Sequence, residues 1–234
     1  MRFSRLIVIP FLLALLPISA RAGDNPVVIE LFTSQGCSSC PPADLLLQEL
    51  AMRPEVIALA LHVDYWDYIG WKDTLGSAEN TARQQGYARA AHARTIYTPQ
   101  FMIAGQIALG GAHSAEIEGE IAKSRGASDP VRISVERNGD GQIKIATEPL
   151  VRLAGPVLIE LVRFAPEVTV DITRGENKGR RISYVSVVTS WQTLGTWSGR
   201  GALTVEAPYL GDEPGVIILQ AANHGPIYAA ARIN

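Results

Sequence analysis

The two cysteines of this 234-residue chain stand two residues apart, in Cys37-Ser38-Ser39-Cys40, where the apolar run Val27 to Phe32 gives way to a helical pattern. No other feature constrains the fold as tightly, because it demands a strand-to-helix turn with a dithiol at the helix N-terminus. As a staple the pair does little: closing a four-residue loop removes about 2 kcal/mol of chain entropy, against about 5 for a loop of about 100 residues. As chemistry the spacing makes sense. A thiolate at a helix N-terminus feels unpaired amide groups and the positive end of the helix dipole, so its pKa falls and it becomes a nucleophile near neutral pH. A second cysteine one turn later can attack the mixed disulfide formed by the first and release the substrate. Cys37 is therefore the expected attacking thiol and Cys40 the resolving one. A surface disulfide, a pair of free thiols and a two-cysteine metal site are the alternatives.

The compartment follows from the first 22 residues. Arg2 and Arg5 precede an apolar stretch from Leu6 to Ile18, and Ala20-Arg21-Ala22 is a small-x-small cleavage site. The stretch is short for a membrane span and broken by Pro10 and Pro17. A cleavable signal peptide over 1–22, cut after Ala22, is expected, with a periplasmic or secreted product and no membrane attachment afterwards. Removing that leader takes three arginines and no acid, so 18 basic residues face 23 acidic ones and the formal charge moves from −2 to −5. That balance argues against a nucleic-acid partner. The remaining 212 residues are enough for two packed units. The basic cluster Arg174, Lys178, Arg180 and Arg181 lies among glycines and reads as a solvated hairpin tip.

Along the chain, Val27 to Phe32 reads as a strand, and Leu45, Leu46, Leu47 and Leu50 supply the buried face of a helix whose first turn suits Pro41 and Pro42. Pro54 ends that region, and Val56 to Val63 has the length and apolarity of a buried parallel strand. An aromatic stretch, His62 to Trp71, precedes a helix from about Ser77 to Ala93. Short strands at Phe101 to Ile103 and Gln106 to Leu109 flank a turn at Ala104-Gly105, and a helix follows from Ser114 to Arg125. After Asp129-Pro130 the pattern alternates around Asn138-Gly139-Asp140-Gly141, a hairpin signal. Further runs at 157–164, 168–172, 182–189, 202–206 and 216–220 make about seven short strands with no helix among them, as in an antiparallel sandwich.

A dithiol at a strand-to-helix turn, followed by Thr98-Pro99 opening a later hairpin, resembles thioredoxin-like proteins. The resemblance implies a cis Pro99 against the dithiol, with Thr98 presenting its backbone to an extended substrate. More closely, Leu31-Phe32-Thr33-Ser34-Gln35-Gly36-Cys37-Ser38-Ser39-Cys40-Pro41-Pro42-Ala43-Asp44 resembles the signature of the secreted bacterial domain-of-unknown-function family 1223. His62 to Asp67, Tyr97 to Gln100 and Gly175-Glu176-Asn177 are similar to further segments of it. The likeness covers nearly the whole mature chain and implies no substrate. The expected fold class is then an α/β thioredoxin-like domain over 23–128 followed by an all-β antiparallel sandwich-like domain over 129–234.

Thioredoxin carries a buried acid on the strand before its dithiol, where this chain has Leu31; Glu30, one place away, should point to the other face. Proton transfer to or from Cys40 is therefore assigned to Asp64, at the end of the second strand, or to water; a loop aspartate capping the next turn is the plainer alternative. Trp66 and Tyr65, in an aromatic group with Tyr68 and Trp71, are candidate substrate-binding residues together with Tyr97, or else a lid packed over the sheet. Arg83 and Tyr87 share a helix face and either reach that lid or fill surface. His62, His92, His113 and His224 stand at no metal-ligand spacing from one another, so no metal site and no cofactor are assigned.

The leading expectation is an exported thiol-disulfide oxidoreductase acting on a protein or small-molecule thiol or disulfide and serviced by a redox partner. Cys37, Cys40, Pro99 and Thr98 carry the chemistry. The alternative is a periplasmic copper-binding or metallochaperone-type protein using the same cysteines.

Overall fold

The computed structural model describes residues 25–233, so the leader 1–22 and its cleavage after Ala22 lie outside the described residues. In chain order the elements are β1 (Val27–Thr33), α1 (Pro41–Ala51), β2 (Val56–His62), α2 (Ala78–Ala90), β3 (Gln100–Ile103), β4 (Ile107–Gly110) and α3 (Ser114–Gly126). They continue with β5 (Val131–Asn138), β6 (Gln142–Pro149), β7 (Val157–Asp171), β8 (Arg181–Trp197), β9 (Leu203–Pro208), β10 (Gly215–Ala221) and β11 (Ile227–Ile233).

Every residue of β1 and β2 is buried, so both faces of this pair are covered. The two strands run parallel, from Val27 opposite Val56 to Thr33 opposite His62, and α1 makes the crossover that parallel pairing requires. Pro41 and Pro42 occupy the first turn of α1. The expected four-leucine face is narrower than the sequence implied. Leu46, Leu47 and Leu50 are buried with Ala43 and Asp44, whereas Leu45 is 59% exposed, because at about 100° per residue the buried five share one arc of the helix and Leu45 falls on the opposite side.

The two-part fold class is not what the chain adopts. Among the described residues it is mostly β, with 44% strand and 19% helix, and strands from both halves of the sequence share one mixed eight-stranded sheet ordered β11-β10-β7-β8-β2-β1-β3-β4. The join is β2 to β8, parallel at Ala60 opposite Val187. A strand as apolar as β2 cannot leave an edge of backbone amides and carbonyls bare, and β8 covers it.

Two elements that the alternation pattern breaks into short pieces are in fact long: β7 has 15 residues and β8 has 17. Pro166 does not interrupt β7. It lies opposite Ser186, at φ 50°, and the ladder resumes on either side at Ala165 to Val187 and Glu167 to Val185. The far half of this ribbon packs Tyr184, Val187, Val168, Val170 and Ile182 into the core cluster beneath α1 and α3. The near half joins β10, where it contributes Val162 and Val188 to the core on the α2 side. Only β5, β6 and β9 form a separate three-stranded antiparallel sheet, packed through Val131, Ile143 and Ile145 on Ile159, Ile217 and Leu219. The final strand β11 is an element the sequence pattern did not mark.

Candidate functional site

The dithiol lies where β1 delivers the chain to α1. Thr33, Ser34 and Gln35 are buried, the Cys37 amide donates to the Ser34 carbonyl at 3.1 Å, and the Cys40 amide donates to the Cys37 carbonyl at 3.2 Å. Cys37 and Cys40 are joined as a disulfide with Cα atoms 5.4 Å apart, and Cys40 is the N-cap of α1. The sulfur pair is well covered: Cys37 is 1% exposed and Cys40 not at all, while Ser38 and Ser39 face solvent. The Ser39 hydroxyl is 3.4 Å from Cys37 Sγ.

The cover comes from two segments distant in sequence. The first is the aromatic stretch after β2. A Cβ on Gly36 would come within 3.3 Å of Trp66 and 3.4 Å of Ile69, and the Trp71 indole donates to Gln35 Oε1 at 2.8 Å. The second is the turn between β7 and β8. Asn177 is buried and its Nδ2 donates to both the Gln35 and the Cys37 carbonyls, each at 2.9 Å. Gly175, at φ 74°, lets this turn approach Trp71, since a Cβ there would stand 2.9 Å from the Trp71 Cβ.

Thr98 and Pro99 precede β3, with the Thr98-Pro99 bond cis. The pairing of Phe32 with Gln100 brings them to the dithiol end of the sheet. Trp66 connects the two halves of the site: it packs at Gly36 and its indole donates to Thr98 Oγ1 at 2.7 Å. Tyr68, 81% exposed, stacks on Trp66 with ring planes 10° apart, and Tyr97 is 41% exposed beside Gly110. These rings form the accessible rim. Tyr65 bridges the site and α2: its ring lies 6.2 Å from that of Trp66, its hydroxyl donates to Gln84 Oε1 at 3.2 Å and also interacts with the Thr98 hydroxyl, and burial pushes its pKa up to about 12 against those hydrogen bonds. Asp64 also faces α2, accepting from the Thr81 hydroxyl at 2.6 Å.

The buried acid on the dithiol helix itself is Asp44. It is i+4 from Cys40, 4% exposed, and accepts from the Thr33 hydroxyl at 2.7 Å. Burial drives its pKa up to about 7, against the opposing pull of His62 and the Thr33 hydrogen bond. His62, fully buried at the end of β2, binds Asp73 Oδ2 through Nδ1 at 2.8 Å and packs edge-on against Tyr184 at 4.6 Å. Burial raises the Asp73 pKa, but the His62 contact and the Gln35 and Leu75 amides outweigh it and bring the group below the ordinary carboxylate value. Sequence reasoning assigned Asp44 and Asn177 no role of their own, although both lie in segments that carry the family resemblance. The further signal for Asp44 was a carboxylate inside the apolar stripe Ala43, Leu47 and Leu50; for Asn177 the Gly175-Glu176-Asn177 segment was the signal, and its partners lie about 140 residues away.

On the opposite face, Glu30 is fully buried, as its one-place offset from Leu31 requires, and is held by Arg83 at 2.5 Å and Tyr87 at 2.5 Å. Arg83 and Tyr87 therefore neither reach the aromatic segment nor fill surface; they pin α2 to β1. Among the described residues no group of three or more His, Cys, Asp and Glu side chains is arranged to hold a metal ion.

A crystal structure of a protein from Agrobacterium tumefaciens is similar to this chain, with 33% identity over 92% of this chain and 95% of that one and a TM-score of 0.76. HBP35 of Porphyromonas gingivalis is similar in fold alone, at 12% identity, a TM-score of 0.62, and coverage of 89% of this chain and 74% of that one. No curated protein matches in sequence. A family model described as "Protein of unknown function (DUF1223)" matches residues 28–219, and the chain belongs to that family.

Proposed function

We propose that this chain is an exported thiol-disulfide oxidoreductase, thioredoxin-like in the chemistry of its site. The observation that carries the reading is the buried Cys37–Cys40 disulfide at the N-terminus of α1, its loop held by Asn177 and packed at Gly36 by Trp66, whose indole also donates to Thr98. In the reducing direction the Cys37 thiolate attacks a substrate disulfide, forming a mixed disulfide and expelling one substrate thiolate. Cys40 then attacks Cys37 Sγ, closing the internal disulfide and releasing the second substrate thiolate, so two electrons pass to the substrate. The oxidising direction is the reverse, beginning with a substrate thiolate on Cys37. The positive end of the α1 dipole favours the thiolate in either case; Pro41 and Pro42 carry no amide hydrogen to donate, and the Ala43 and Asp44 amides are bound to the Cys40 carbonyl. The exposed Tyr68 and Tyr97 rings offer apolar contact to a substrate beside Thr98. Export rests on the leader read in residues 1–22.

The test is a redox titration of the mature protein in glutathione buffers, reading both thiols by the mass shift of alkylation and assaying metal on the same sample. A reversible two-electron transition, lost in Cys37→Ser, supports the reading and shows the direction of electron flow. Thiols inert across the range overturn it. Stoichiometric copper bound through the same cysteines overturns it in favour of a metallochaperone role.

A further inference from the structure

Thiol-disulfide exchange moves protons as well as electrons, and a resolving cysteine sealed from solvent needs somewhere to put its proton. Cys40 is fully buried. A helix places residue i+4 on the same face one turn on, and from Cys40 that residue is Asp44.

Asp44 is buried at 4% exposure in a polar cluster. The β1 residue Thr33 donates to it, and it interacts electrostatically with His62 of β2, with Asp73 after β2 and with Tyr184 of β8, whose hydroxyl pKa is raised by burial and by the charges of Asp44 and Asp73. Two polar atoms in this cluster are buried without a hydrogen-bond partner: Asp44 Oδ2 and His62 Nε2. Buried polar atoms are rarely left so, and these two leave acceptor and proton-exchange capacity inside the cluster one helical turn from Cys40. The remaining atoms are fixed. Thr33 occupies Asp44 Oδ1, and Asp73, itself held by the Gln35 and Leu75 amides, occupies His62 Nδ1.

We propose that Asp44 is the proton carrier for Cys40, positioned by Thr33 and coupled electrostatically to the His62–Asp73 pair. This rests on the oxidoreductase reading. When the enzyme reduces a disulfide, the Asp44 carboxylate takes the Cys40 thiol proton, and the resulting thiolate attacks Cys37 Sγ and releases substrate. When it oxidises a dithiol, Cys40 leaves as thiolate and Asp44, as the acid, returns the proton. A carboxyl that titrates near neutrality serves both directions. His62 and Asp73 are positioning residues: in the neutral imidazole their bond fixes the proton on Nδ1 and leaves the Nε2 lone pair inside the cluster.

The test uses oxidised glutathione as probe, following closure of the Cys37–Cys40 disulfide in the reduced protein from pH 5 to pH 9. The wild type should show an inflection near neutral pH, and Asp44→Asn should lose it and slow by roughly 100-fold at pH 7. His62→Gln should shift the inflection without removing it. Coincident pH profiles for wild type and Asp44→Asn overturn the proposal while leaving the oxidoreductase reading intact; a wild type that does not react overturns both. Carbon-13 NMR of the Asp44 carboxyl in the wild type is independent of any variant's folding. Titration near neutrality supports the assignment, and titration at the ordinary aspartate value overturns it.

Discussion

Replacing Asp44 by asparagine should change how the stability of this protein depends on pH, and the size of the change follows from where the carboxyl is buried. In the unfolded chain Asp44 titrates at its ordinary value of 3.8, and in the folded protein burial raises it to about 7. Between those values the folded state binds more protons than the unfolded state, so the contribution of this residue is full below the unfolded value and is lost as pH rises through the folded one. Integrating over pH 5 to 8 gives a loss of about 2.5 kcal/mol attributable to this group. Asparagine keeps the volume and the oxygen that accepts from Thr33 but does not titrate. Urea unfolding of the oxidised wild type and Asp44→Asn at both pH values should therefore show the wild type losing about 2.5 kcal/mol relative to the variant between pH 5 and 8. In thermal unfolding that is about 5 to 10 °C for a chain of this size. Stability curves that run parallel for the two proteins would refute the reasoning, since they would mean that the folded-state carboxyl titrates where the unfolded one does.

Asn177→Ala removes both donors that hold the Gln35 and Cys37 carbonyls, at a cost of about 2 kcal/mol. Because those bonds clamp the dithiol loop, reduction of the disulfide by dithiothreitol should speed up and amide exchange over residues 35–40 should rise; unchanged rates would show that the clamp does not restrain the loop. Arg83→Met leaves Glu30, which has no exposure, without its charge partner and should cost about 3 to 5 kcal/mol by urea unfolding. Adding Glu30→Gln should recover a large part of that loss, and a double variant as unstable as the sum of the two single ones would refute the pairing.

What could be read locally was read. The Cys37–Cys40 spacing, the prolines behind it and the apolar runs on either side require strand, turn and helix in that order, and the structure has β1, the dithiol turn and α1. The alternation of faces was equally legible at Glu30, where a one-residue offset decided which side of the sheet the carboxylate occupies. Pattern reasoning failed where a residue's partner is remote. It weighed His62 as a possible ligand, named Asp64 or water for the proton of Cys40, and gave Asp44 no role, because the burial of a carboxylate in an apolar stripe and its bond to Thr33 are visible only in the fold.

By itself, the sequence determined the local elements around the dithiol, since these depend on residue spacing along one segment of chain. Only the tertiary structure decided that β8 closes the bare edge of β2, that the long β7–β8 ribbon carries Asn177 to the dithiol loop, and that Asp44 is buried against Thr33 within electrostatic reach of His62 and Asp73. Strand edges and buried polar atoms are satisfied by whatever the folded chain brings within hydrogen-bonding distance, and that geometry is not encoded in the periodicity of any one segment.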